Sequence, residues 1–299
     1  MKKRAFIFII AAGMFWGTSG IFVNLLSPYG FNSIHLSAVR GAVAFVCISL
    51  YALLRQRSLF KVKLTELLLF AVIGLSLFVT GSAYFASMQK TSIATAVVLM
   101  YTAPVIVMLF SVLFLGEKLT KLKAVSVACM LVGCGLVSGI IGGLKFHPLG
   151  ILLGLLSGVS YASYNIITKI SVSKGSSPMS ASLYSFLAMA LIAIPIADPV
   201  EIVTLCAQKP AFLIPMALGT GICTFVVPYV LYTLALKDLD AGSASALSIV
   251  EPMAATVFGM IFFKEMLTVP SAIGIILILF SVVALSYAEG GSKNETNKD

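Results

Sequence analysis

Apolar and polar positions along this chain fall into blocks rather than stripes. Ten mainly apolar stretches, 6–26, 33–54, 65–87, 92–115, 121–141, 148–169, 179–198, 211–236, 242–263 and 267–287, alternate with short joints that hold most of the charge. Each is close to the ~20 residues an α-helix needs to cross a hydrocarbon core. Strands of a membrane barrel would alternate with a period of two, and these runs do not. In lipid every backbone polar group must be satisfied within the fold, which favours continuous helices. The pattern predicts an all-α integral membrane protein of ten transmembrane helices, with no room for a soluble domain. The polar end, 288–299, reads as a disordered cytoplasmic tail.

The ten stretches are five, written twice. At a shift of 148 residues, Tyr84 falls on Tyr232, Ala96 on Ala244, Leu99 on Leu247, Pro104 on Pro252, Phe110 on Phe258 and Glu117 on Glu265. The fronts of the halves match at a shift of 145, Gly13 on Gly158 and Trp16 on Tyr161. This places one repeat at 5–141 and a second at 148–287. Five is odd, so the second copy enters the membrane upside down relative to the first. The expectation is two inverted five-helix repeats around a central cavity, related by a pseudo-two-fold axis in the membrane plane. Alternating access follows: a half that closes one mouth has an inverted twin to close the other.

Composition agrees. The chain is 60% hydrophobic and 10% charged, with a mean hydropathy of +1.07, where a soluble domain carries about 25% charged residues. The net charge of +9 raises nucleic acid as a partner, but its distribution argues against one. With a cytoplasmic N-terminus, fifteen Lys and Arg fall on the cytoplasmic side and four (Lys90, Lys145, Lys209, Lys264) on the other, with Arg40 inside a stretch. The positive-inside rule then puts both termini in the cytoplasm of a plasma-membrane protein. Lys2-Lys3-Arg4 before an apolar run resembles a signal peptide, but Trp16 and Asn24 suit a cleavage region badly. The five cysteines lack zinc-ligand spacing, and no metal or other cofactor is expected.

Two ionisable side chains sit well inside apolar stretches, Arg40 and Glu251. A charge at the bilayer centre costs about 2.5–3.5 kcal/mol on insertion scales, so neither is accidental. Arg40 could hold a carboxylate or phosphate by its fork, or tie helices together. Glu251 could hold an ammonium group, carry a coupling proton, or serve as a structural partner. Pro104 and Pro252 remove helix hydrogen bonds at equivalent positions. They mark either a binding site between broken helices or packing kinks. Trp16, Tyr84, Tyr101, Tyr161, Asn165 and Tyr232 add polar tips that suit a cavity for amphipathic metabolites or hydrogen bonds between helices. Gly13, Gly17 and Gly20, with Gly150, Gly154 and Gly158, read as close-packing seams.

Gly17-Thr18-Ser19-Gly20 resembles the Gly-x-Ser-Gly of intramembrane serine proteases. That chemistry needs a histidine within reach of the serine, and the chain has only His35 and His147. An intramembrane hydrolase using Ser19 is therefore the weaker alternative.

Taken together, Trp16-Gly17-Thr18-Ser19, Ala38-Val39-Arg40-Gly41, Pro104 through Gly116-Glu117-Lys118-Leu119-Thr120, and Glu251-Pro252 through Glu265-Met266-Leu267-Thr268 resemble the EamA-type transporters of the drug/metabolite transporter superfamily. The resemblance covers residues 5–287. It implies a secondary transporter that exports amino acids or related small metabolites, or a drug efflux pump of the same fold. Tyr184 or Ser185 stands where the second copy of Arg40 would fall, Tyr161 replaces the tryptophan, and Lys264 replaces the glycine before Glu265. Whether the chain works as a monomer or a homodimer is left open.

Overall fold

The computed structural model describes residues 2–91, 93–117, 119–139, 147–264 and 266–296. Among these residues there are helices and turns and no strand. In chain order the helices are α1 (Lys2–Gly17), α2 (Ser19–Leu26), α3 (Ser33–Arg55), α4 (Leu64–Lys90), α5 (Ile93–Met100), α6 (Ala103–Phe114), α7 (Lys121–Val137) and α8 (Pro148–Ser173). They continue as α9 (Pro178–Ile196), α10 (Pro199–Ala207), α11 (Pro210–Gly221), α12 (Val227–Ala235), α13 (Ala241–Leu247), α14 (Val250–Phe263) and α15 (Val269–Thr296).

Several consecutive helices run on as one rod. Among the described residues, eight stretches are long and apolar enough to cross a membrane: Lys3–Tyr29, Ser33–Arg55, Leu64–Lys90, Thr95–Phe114, Pro148–Ser173, Pro178–Ile196, Pro210–Ala235 and Ala241–Phe263. The fifth and tenth expected spans correspond to shorter apolar helices, the 17 residues of α7 and Val269–Leu285 within α15. Lys121 and Lys123 in its first turn shorten the apolar part of α7. α7 and α15 lie against each other at Gly133 and Gly274, where a Cβ on either would meet the other's carbonyl oxygen. The helical backbone of α15 continues to Thr296, past the point where the sequence turns polar. Propagating an existing helix fixes one residue per added hydrogen bond, so a polar extension needs no new nucleus.

The rods break where local chemistry forces them. Pro104 and Pro252 cannot donate to the preceding turn, and Tyr101-Thr102 and Ser248-Ile249 form the turns that separate α5 from α6 and α13 from α14. Thr102 Oγ1 donates to Leu99 O at 2.7 Å. Ser248 Oγ donates to Ser245 O at 2.6 Å. The Ser248 carbonyl, opposite Pro252, takes the Glu251 N–H at 2.9 Å. Two interruptions have no counterpart in the proline reading. Thr18, whose hydroxyl donates to Phe15 O at 2.6 Å, separates α1 from α2. Ile222–Val226 forms a π-helical turn ahead of Pro228.

Glycines set how closely the rods approach. A Cβ on Gly13 would meet Val250, and one on Gly158 would meet Thr102 Oγ1 and the Leu99 carbonyl. Gly74 of α4 seats against Ala188 of α9, and Gly221 of α11 against Val43 of α3. The outer surface is apolar: Leu54, Leu113, Phe114, Ile276 and Phe280 are all more than half exposed. Such a girdle is an unstable surface in water and an ordinary one in lipid.

Candidate functional site

Hydrogen bonds gather the rod ends into two faces. At the face that holds the start of α1, here the near face, the joints are tied tightly. Glu117, in the joint after α6, accepts the Ala241 N–H at 2.7 Å and the Gly242 N–H at 3.3 Å, capping the start of α13. Lys123 is buried and pairs with Asp240 at 2.6 Å. Lys169 donates to the Leu236 and Leu239 carbonyls at 2.8 and 2.6 Å, where α12 ends. Glu66 takes the Ser176 hydroxyl at 2.6 Å. Ser180 and Tyr184 donate to the Leu59 and Phe60 carbonyls at 3.0 and 2.9 Å. Burial and nearby Asp240 hold the Glu117 carboxyl above the ordinary carboxylate range, against the pull of the Ala241 and Gly242 N–H groups and Lys123.

From mid-molecule to the far face runs a cavity of about 470 Å³. Its walls are the second half of the first rod (Trp16 to Asn24), the far-face end of α4 (Tyr84, Phe85, Met88), α5 with the turn after it (Val97, Met100, Tyr101), the end of α7 and α14 from Glu251 to Phe263. None of the lining residues comes from the near-face joints. Both proline breaks border it, one through Met100 and Tyr101 and the other through Glu251 and Pro252. Tyr101, fully buried, donates its hydroxyl to Glu251 Oε2 at 2.9 Å, so the broken turns of α5–α6 and α13–α14 meet through this bond.

Below the cavity lies an aromatic floor. Trp16 lines the cavity and sits edge-on to Tyr229 at 5.0 Å and tilted on Tyr232 at 5.6 Å. Tyr161 stacks on Tyr164 at 6.0 Å, and Tyr164 packs edge-on to Tyr229 at 5.3 Å. Tyr232, fully buried, donates to Asn165 Oδ1. Asn165 Nδ2 donates back to Tyr161 O at 2.6 Å. Tyr232 and Asn165 thus have their partners within the bundle, whereas Trp16 Nε1 and the Tyr164 hydroxyl are buried without one.

These observations join a helical membrane bundle, a one-sided cavity and paired proline breaks, and comparison with known proteins gives the pattern a family. The family matched is the EamA-like transporter family, over residues 3–139 and again over 148–287. The chain belongs to it. The "Uncharacterized transporter YwfM" of Bacillus subtilis is 25% identical over 287 residues, covering 94% of this chain and 93% of its own. An "Uncharacterized transporter" of Archaeoglobus fulgidus is 30% identical over 214 residues, covering 71% and 74%. A solved crystal structure superposes with a TM-score of 0.79 at 18% identity, over 97% of this chain and 98% of that one, which shows a common fold.

Of the residues picked from sequence, Trp16, Tyr84, Tyr101, Glu251 and Pro252 line the cavity. Tyr161, Asn165 and Tyr232 lie in the floor, and Pro104 is buried one turn from the cavity wall. Arg40 is not among the lining residues. It donates from Nε to Thr220 Oγ1 at 3.2 Å and holds its guanidinium 5.9 Å over the Phe225 ring. Glu117 is a near-face cap, and Glu265 lies outside the described residues. Gly20, read as a packing glycine, has no atom near its missing Cβ and borders the cavity instead. Both histidines hold helix starts: His35 Nδ1 accepts the Asn32 N–H at 3.3 Å, and His147 Nδ1 the Gly150 N–H at 3.3 Å. Ser19 lines the cavity with neither of them bonded to it. Sequence reading missed Lys123, Asp240 and Lys169. Asp240 directly ahead of the α13 start is a recognisable N-cap pattern and was the available signal.

Proposed function

We propose that this protein is a secondary transporter that exports small amphipathic metabolites, amino acid derivatives among them, by alternating access across the plasma membrane. The observation that carries the reading is the one-sided cavity: about 470 Å³ reaching the far face, above joints tied by Glu117, Lys123 and Lys169 at the near face. With both termini in the cytoplasm, as the charge distribution favours, this is an outward-facing arrangement. The bundle is then ten helices, with α7 and the apolar part of α15 as its short fifth and tenth members.

The packing supports inverted repeats at 5–141 and 148–287. Gly13 meets Val250, and Gly158 meets Thr102. The glycines are equivalent at the front shift of 145 and their partners at the later shift of 148. Each contact is therefore the other's image under exchange of the halves. An inverted pair can place the same seal at either mouth, which is the requirement for alternating access.

Efflux from proteoliposomes loaded with amino acids, amines and other small metabolites tests the reading, with and without a pH gradient. Selective loss of a compound supports it, and no loss of any compound from folded, oriented protein refutes it. Proton coupling belongs to the same proposal and rests on Glu251, the carboxylate at the cavity wall. Glu251→Gln is expected to abolish the pH dependence of transport, and an unchanged pH profile removes Glu251 as the coupling site.

A further inference from the structure

We infer that the cavity selects organic amines, cations with an aromatic or branched apolar body and no free carboxylate, over the parent amino acids. The inference rests on the reading of the cavity as the substrate site. Amino acids carry two opposite charges, and each is costly to take out of water without a partner. Among the described lining residues, Glu251 is the one acidic side chain, and none is basic. The other polar groups that line it, such as Ser19, Asn24, Ser138 and Thr256, are neutral.

The cation that could receive a carboxylate, Arg40, stands behind the cavity wall and is not among its lining residues. It is buried, bonded to Thr220 and set over Phe225. Phe225 packs on Tyr229 at 4.7 Å, and Tyr229 on Trp16 at 5.0 Å. Arg40 thus connects to the cavity wall through a sequence of three rings, and its unbonded Nη2 is buried rather than open to the cavity. A carboxylate brought into this space would lose its hydration without gaining a charged partner.

An ammonium group meets the opposite circumstances. Glu251 is half-buried, and Tyr101 occupies Oε2 at 2.9 Å, which orients the carboxylate and leaves its remaining acceptor capacity to a ligand. Trp16, Tyr84 and Tyr101 present ring surface in the same cavity, and such rings attract cations. Phe85 and Phe258 supply apolar wall for the body of the ligand. The cavity volume of about 470 Å³ lies within the range of small-molecule sites.

The chain contains one tryptophan, and it lines this cavity, so its fluorescence reports occupancy directly. The test titrates the full-length protein in nanodiscs with phenethylamine, phenylalanine and 3-phenylpropionate, which share one ring and differ in charge. Phenethylamine is expected to bind about tenfold or more tightly than phenylalanine, with 3-phenylpropionate weakest. Glu251→Gln, which keeps an acceptor for Tyr101, is expected to erase the preference, and Glu251→Asp to retain it. Equal or tighter binding of phenylalanine or 3-phenylpropionate overturns the inference, as does the absence of a saturable response to phenethylamine. Efflux assays on the same compounds separate the two readings. Amine binding with no efflux of any loaded compound removes the proposed function and keeps the selectivity, and transport confined to the carboxylates does the reverse.

Discussion

Glu117→Ala is expected to loosen the near-face seal by an amount the structure lets one work out. Its carboxylate accepts two backbone N–H groups, Ala241 at 2.7 Å and Gly242 at 3.3 Å, at the buried first turn of α13. Hydrogen bonds to a charged acceptor contribute about 1.5–3 kcal/mol each, with the longer one at the low end. Against this stand the desolvation of the carboxylate and its repulsion from Asp240. The net loss is on the order of 2 kcal/mol, a roughly 30-fold increase in the open population of that turn. Hydrogen–deuterium exchange of a peptide spanning 240–247 reads this population, because the same N–H groups are the ones released. Glu117→Gln, which keeps one good acceptor, is expected to fall between wild type and alanine. Exchange within about twofold of wild type in a folded Glu117→Ala protein would refute the assignment of Glu117 as the latch.

The same residue makes a pH prediction. Burial raises its folded-state carboxyl above the ordinary value of 4.5, so the folded protein keeps this proton to a higher pH than the unfolded chain. Its contribution to stability falls as pH rises through that window, and Glu117→Gln is expected to flatten this slope in thermal unfolding. Gly158→Ala forces a Cβ against Thr102 Oγ1 and the Leu99 carbonyl and is expected to destabilise by about 1–3 kcal/mol, whereas Gly20→Ala, helical and with open space around it, does not lower the melting temperature. Equal effects of the two would show that the cavity edge and the seam had been confused. Tyr232→Phe strands Asn165 Oδ1 in the buried floor and is expected to cost about 1–3 kcal/mol in denaturation, while Tyr84→Phe, at the cavity wall, costs less.

What the sequence revealed and what it concealed follow one rule: effects confined to a few neighbouring residues are legible, and direction in space is not. Pro104 and Pro252 announce their breaks because the missing N–H and the ring act within one turn. The break at Thr18 carries no comparable mark, since a threonine that bonds its own backbone is tolerated in many helices. Arg40 and Glu251 give the same signal, a charge in an apolar run, yet one is packed behind aromatic rings and the other borders the cavity. Hydropathy reports the cost of burying each charge and says nothing about which face of the rod it occupies. Gly13 and Gly20 likewise share a helix and a residue type, and only the neighbouring rods decide that one is a seam and the other an opening. Glu117 and Glu265 were legible as equivalent ends of a repeat, but the part Glu117 plays depends on α13, more than a hundred residues away.

The π-helical turn at Ile222–Val226 accommodates a one-residue mismatch between two matching stretches of the chain. On its earlier side, Gly74 seats against Ala188 as Gly221 seats against Val43, which makes the two glycines counterparts at an offset of 147. On its later side, Tyr84 and Tyr232 are counterparts at an offset of 148. The offset changes by one residue between these positions, and the wide turn takes it up while the contacts above and below are kept. Deleting one residue from 222–226 should therefore return an ordinary α-helix and a working protein. The same deletion in the middle of α4 would swing everything beyond it by about 100°. Alignments of relatives that place a gap here, rather than in a joint, would mark the turn as the place where the rod tolerates a residue gained or lost.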